Sequence, residues 1–141
     1  MHLFDRIDSV DSLGLAQKLH TAAAEEGKRL PILIEVHLGD EATKQGVRED
    51  NALPIAEAVA AQQHLELLGL MTIPPYFDDT EQVRPYFRRL RELREVISNA
   101  LGSPLSVLSM GMSHDFEVAI EEGATEIRIG TALFGGRTTH D

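Results

Sequence analysis

PLSVLSMGMSHDFEVAIEEGATEIRIG, residues 104–130, is the stretch on which the fold turns. An apolar run leads into Ser-Met-Gly-Met-Ser at 109–113, an amphipathic run, FEVAIEEG, follows at 116–123, and a β-rich run closes it at 124–130. The periodicities predict a strand, a helix and a strand. Small residues and hydroxyls at the strand-to-helix corner leave backbone N–H groups open, and such a corner suits an anion.

The same alternation extends back to the first residues. LFDRID (3–8) reads as a short apolar strand. Leu13, Leu15, Ala16, Leu19, Ala22 and Ala23 then recur at helical spacing, with Ser9, Asp11 or Ser12 as cap and Gly27 as stop. PILIEVHL (31–38) reads as a strand, and Leu53, Ile55, Ala56, Val59 and Ala60 as a helix capped by Asn51. LELLGLMTI (65–73) is a strand stopped by Pro74 and Pro75. A long helix runs from Thr80 to Leu101, and Pro85 places its start within 80–84. PLSVLSM (104–110), a helix over 113–122 ending at Gly123, and ATEIRIG (124–130) complete the series. Strict alternation of short apolar strands with helices predicts an α/β fold, a parallel sheet with helices outside. Ligands in such folds bind at the C-terminal ends of strands.

The 141 residues are expected to form a single domain, 1–141, with 43% hydrophobic and 26% charged residues, ordinary for a globular protein. With no cysteine there is no disulfide framework and no thiolate chemistry. No apolar run approaches the ~18 residues of a membrane span, and MHLFDRIDSVDS has no signal-peptide core. A cytoplasmic location is the expectation. A formal charge of −10 argues against nucleic acid or an anionic membrane as partner. It leaves room for a small anionic ligand at a local donor site.

Two readings stand for each residue of the corner. Ser113 is either the N-cap of the helix or a donor to an anion. Gly111 is either a turn glycine or a point of close approach. Strand alternation puts Arg128 and Gly130 on one face and Ile127 and Ile129 on the other, so Arg128 either points into a barrel, where it needs a partner, or out to solvent. Gly130 leaves space beside the backbone and Thr131 adds a hydroxyl. Two consecutive strand ends of this kind match the phosphate site that βα barrels build late in the chain. In RRLRELRE (88–95), Arg88–Glu92 and Arg91–Glu95 are spaced to pair on a solvated helix face, the alternative being a partner surface. DEATK (40–44) reads as a loop over the barrel mouth or as plain solvated turn residues.

SVDSLGLAQKL, PILIEVHLGDEATKQGV, GLMTIPPYF, LSMGMSHDFEVAIEEGAT and RIGTALFG resemble, in order, segments of the YggS/PROSC family of pyridoxal phosphate homeostasis proteins, relatives of the N-terminal barrel of alanine racemase. The resemblance implies part of a (β/α)8 TIM-type barrel, about five of eight strands, and pyridoxal 5′-phosphate (PLP) as cofactor. It implies that Ser109, Met110 and Ser113 help form a phosphate cup, that Gly130 and Thr131 complete it, and that Arg128 faces the pyridine nitrogen. A guanidinium there accepts no proton, which suits carrying PLP better than racemase chemistry. The family's first three strands, and the lysine that bonds covalently to PLP, have no counterpart among these residues. The lysines here are Lys18, Lys28 and Lys44, and none matches that position. His37 stands where the family has asparagine, and reads as a structural residue rather than a metal ligand. The implied function is a non-catalytic PLP-binding protein. The competing readings are an interaction fragment that has lost the cofactor and the remnant of a racemase-like enzyme. Open sheet edges at 3–8 and 126–130 predict a homo-oligomer, with Ile7, Ile127 and Ile129 as barrel-facing contacts.

Overall fold

The computed structural model describes residues 5–39 and 46–128. Its elements are β1 (Ile7–Val10), α1 (Leu13–Glu25), β2 (Leu30–His37), β3 (Val47–Arg48), α2 (Ala52–Ala60), β4 (Leu65–Met71), α3 (Arg84–Leu101), β5 (Val107–Met112), α4 (Phe116–Glu121) and β6 (Glu126–Arg128). All pairings are parallel, in the order β1-β2-β4-β5-β6, with the two-residue β3 beside the end of β2. The α/β alternation expected from the sequence is the one observed, and the sheet is that of a partial TIM-type barrel. No described helix is long and apolar enough to cross a membrane.

The helices bury the convex face. Ile32, Ile34 and Val36 of β2, Leu65 and Leu70 of β4, and Leu108 and Met110 of β5 meet Ala16, Ala56, Val59, Phe87, Leu90 and Ile97 in one apolar core. Strand alternation then sends Leu33, Glu35, Met71 and Ser109 to the concave side. An irregularity in β4, where Ile32 pairs Leu67 but Leu33 pairs Gly69, resets that alternation. Gly69 is needed there, because a Cβ would lie 1.8 Å from the Val107 carbonyl oxygen.

Ile7 and Ile127 pack against the convex core rather than facing the barrel. The expectation that they line the interior is therefore corrected; Ile129 lies outside the described residues. Their strand neighbours Arg6, Asp8, Glu126 and Arg128 turn inward instead. Arg6 Nη1 donates to Glu126 Oε2 at 2.7 Å, and Arg6 Nη2 to Asp8 Oδ2 at 2.8 Å. This ion pair joins the residue before β1 to the first residue of β6, across the opening of the half-barrel.

Several boundaries shift. Among the described residues the first strand is Ile7–Val10, where Ile7 and Val10 pair with Ile32 and Ile34; residues 3 and 4 of the expected 3–8 lie outside them. Ser12 caps α1, accepting from Leu15 N at 3.1 Å. Asn51 makes no side-chain cap; α2 is entered from β3 through a 3₁₀ turn, Glu49–Asn51. Another 3₁₀ turn, Thr80–Gln82, precedes α3, whose Pro85 sits in the first turn as expected. The strand placed at 104–110 is Val107–Met112, and its helix starts at Phe116 rather than 113.

Candidate functional site

A bulge builds the corner at residues 109–116. Between β5 and β6, Ser109 pairs Glu126 and Met112 pairs Arg128, so β5 carries one extra residue. Gly111 takes the strain, with φ +108°, and a Cβ there would lie 2.7 Å from the Ala119 Cβ. The extra residue lets the Leu108 and Met110 side chains stay in the core while Met112 turns to the same row as Arg128.

Arg128 points inward. Its Nη1 donates to Ser109 Oγ at 2.7 Å and its Nη2 to the Thr72 carbonyl at 3.2 Å. Of the two sequence readings, the inward one holds, and the partners are now named. Burial lowers the Arg128 pKa, while Asp8, Glu35, Glu126 and Asp115 act to raise it. Thr72, which sequence reasoning did not single out, is the hub. It is fully buried, its Oγ1 donates to the Val36 carbonyl at 2.7 Å, and its N–H donates to the Ser109 carbonyl at 3.2 Å. One residue thus joins β2, β5 and the Arg128 guanidinium. The available signal was its place at a strand end before Pro74 and Pro75.

The other expected residues are placed differently from one another. Ser109 is buried on the concave side beside Arg128. The Met110 side chain is fully buried in the convex core, so only its backbone is on offer to a ligand. Ser113 is not the N-cap of α4. That position belongs to Asp115, whose Oδ1 accepts from Met112 N at 2.7 Å. Ser113 lies in the turn between β5 and α4. Gly130 and Thr131 lie outside the described residues.

Aromatic groups flank the mouth. The Tyr76 and His114 rings stack with centroids 4.5 Å apart, joining the loops that leave β4 and β5. Glu35, near the end of β2, is 8% exposed, and burial raises its pKa; Asp11 adds to the rise and Arg128 opposes it. His37 ends β2, and the described residues hold no group of three or more metal-ligating side chains. Lys18 lies on α1, Lys28 precedes β2, and Lys44 with the rest of 40–44 lies outside the described residues.

The arginines of α3 have another role. Arg84, Arg88 and Arg91 all donate to Glu122, at 2.8, 3.1 and 3.0 Å, and hold its carboxyl down at a pKa of about 2. Arg89 pairs with Glu49. The i,i+4 pairs expected for Arg88 and Arg91 are replaced by this cross-helix clamp, because a buried carboxylate at the end of α4 is a better partner than a solvated one. Of the basic cluster, Arg88, Arg89 and Arg91 are thus spent on carboxylates of this chain.

Residues 6–138 match the family described as alanine racemase, N-terminal domain. The chain belongs to that family. It is 50% identical over 131 residues to the pyridoxal phosphate homeostasis protein of Aquifex aeolicus, covering 93% of this chain and 58% of the relative. The Bos taurus protein of the same name is 40% identical over 143 residues, covering 93% and 50%. The chain therefore spans little more than half the length of these relatives. Among solved structures, PipY of Synechococcus elongatus with PLP bound superposes with a TM-score of 0.85 at 34% identity, covering 94% of this chain and 61% of PipY. The YggS/PROSC resemblance and the partial barrel both stand on these matches.

Proposed function

We propose that this chain binds PLP through the C-terminal end of its concave face and serves PLP homeostasis as a binding protein rather than as an enzyme. The observation that supports it is Arg128, an inward guanidinium held by Ser109 and Thr72 beside the turn that leads into α4. The donor set fits the cofactor. Arg128 keeps further N–H donors for a ring nitrogen, and the bulge at Gly111 brings backbone close to the mouth. The backbone of Ser109 and Met110, the Ser113 turn, and Gly130 with Thr131 would hold the phosphate. Bound PLP supplies an aldehyde and an electron-poor ring. An arginine at the ring nitrogen donates no proton to it readily, and so leaves the ring a poor electron sink. Relatives named for PLP homeostasis and a PLP-bound neighbour agree with this reading.

Binding is expected to be weak and non-covalent. Absorbance or fluorescence titration should show saturable PLP binding, with inorganic phosphate competing because charge-assisted bonds to the phosphate dominate. Borohydride reduction and mass spectrometry should find no specific lysine adduct; a stoichiometric adduct on Lys44 overturns the non-covalent reading. Replacing Gly130 with valine should abolish phosphate competition with little change in the fold. We further propose that the edge strands β1 and β6 recruit a second copy, testable by sedimentation at micromolar concentration. The proposed place of action is the cytoplasm, with neither nucleic acid nor membrane as partner.

A further inference from the structure

Arg6 and Arg128 both face the concave side, and they are held in different ways. Arg6, the residue before β1, donates through Nε and Nη2 to Asp8, at 2.6 and 2.8 Å, and through Nη1 and Nη2 to Glu126. All four oxygens of these two carboxylates accept from that one guanidinium. Arg128 bonds to neither of them, although both favour its charge through space. Its partners among the described residues are the Ser109 hydroxyl and the Thr72 carbonyl, both neutral.

Local chemistry alone would pair these groups otherwise. Glu126 and Arg128 lie two residues apart on β6, on one face and about 7 Å apart along the strand, a span that two long side chains can bridge. A carboxylate is a stronger acceptor for a guanidinium than a hydroxyl or a carbonyl. Burial, which works against the Arg128 charge, adds to the demand for such a partner. Yet Glu126 is turned to Arg6. Hydrogen bonds from Arg6 are the main cause of its lowered pKa, and Arg128 acts on it only through space.

We propose that Arg6 positions Arg128 for its ligand by holding Asp8 and Glu126 away from it. The inference rests on the reading that Arg128 meets the ring of PLP. An arginine paired with a carboxylate has its charge offset and its forked donors taken, and has little left for a ring nitrogen. With both carboxylates on Arg6, Arg128 keeps the N–H groups that Ser109 and Thr72 do not use. Arg6 does this from the starts of the edge strands, without touching the ligand.

Calorimetric titration of PLP and of inorganic phosphate into the chain and its Arg6→Met variant tests this. In the variant PLP affinity should fall about tenfold, the loss of one charge-assisted contact, while phosphate affinity stays. Neutralising the freed carboxylates, as Asp8→Asn with Glu126→Gln in the Arg6→Met background, should restore PLP affinity. Should Arg6→Met fail to fold, Arg6→Lys reads the same contact, because an ammonium lacks the fork that spans both carboxylates, and again PLP but not phosphate should weaken. A crystal structure of the variant should show Glu126 or Asp8 on the Arg128 guanidinium. Arg128 still on Ser109 and Thr72 in that crystal, no rescue by the neutral pair, or equal losses of PLP and phosphate, overturns this inference and leaves PLP binding standing. A parent that binds no PLP overturns the reading of the face, and the crystal structure then still decides whether Arg6 keeps the carboxylates from Arg128.

Discussion

The two ends of the concave face differ in how their charges are used. Near the starts of the edge strands, Arg6 is bonded to both Asp8 and Glu126, and each charge has a partner. Toward the strand ends, Arg128 rests on a hydroxyl and a carbonyl, both neutral acceptors, and Glu35 faces it without an ion pair among the described residues. The first arrangement is closed and holds the sheet in its curve. The second leaves guanidinium N–H donors over, and unused donors are where an anionic or acceptor ligand gains most. The α3–α4 clamp on Glu122 belongs with the first kind.

Substitutions should separate the two ends. The largest effect is expected for Gly111→Ala. The φ of +108° and the Ala119 Cβ at 2.7 Å both forbid the new Cβ, so the bulge that aligns Ser109 with Arg128 fails. Chemical denaturation should show a loss of about 3 kcal/mol, and ligand binding should go with it. Glu122→Ala comes next, at about 2 kcal/mol, because three guanidiniums lose one shared buried acceptor. Its pH signature is specific. The Glu122 pKa is lowered from 4.5 to about 2, so the parent's extra stability is complete above about 4.5 and disappears as pH falls toward 2. The variant's melting temperature should lack that component.

Arg6→Ala should cost about 1 kcal/mol, since the pair it breaks is only part-buried. Small-angle scattering should show a more open sheet, and phosphate affinity should be unchanged. A loss of phosphate affinity would show that the two ends are one site. Glu35→Gln should have the smallest effect, with the opposite sign. The folded-state pKa is raised, so the folded chain keeps its proton longer than the unfolded one, and stability falls as pH rises from the usual carboxylate range through the raised value. At neutral pH the variant should therefore be slightly more stable than the parent, read as a raised melting temperature. A destabilised Glu35→Gln would mean that the carboxylate has a structural donor after all.

The sequence alone determined the order of strands and helices, and hence the parallel sheet, because apolar periodicity and the Gly and Pro stops are local signals. Gly27, Pro85 and Gly123 lie where those signals put them. It also carried the family resemblance, through SMGMS and RIGTALFG, which the family match over residues 6–138 bears out. Only the tertiary structure decided which strand faces turn inward. Bulges in β4 and β5 each shift the alternation by one residue; Gly69 and Gly111 mark where the chain can bulge, but not that it does. Ile7 and Ile127 read as interior, while the inward positions belong to Arg6, Asp8, Glu126 and Arg128, because alternation fixes that neighbours face opposite ways but not which way is in. Thr72 and Glu35 were equally hidden. A threonine before two prolines looks like a strand end, and a glutamate in PILIEV looks like a solvated alternate. Their places exist only because strands far apart in the chain bring Val36, Ser109 and Arg128 to the one and set the other among Asp11 and Arg128.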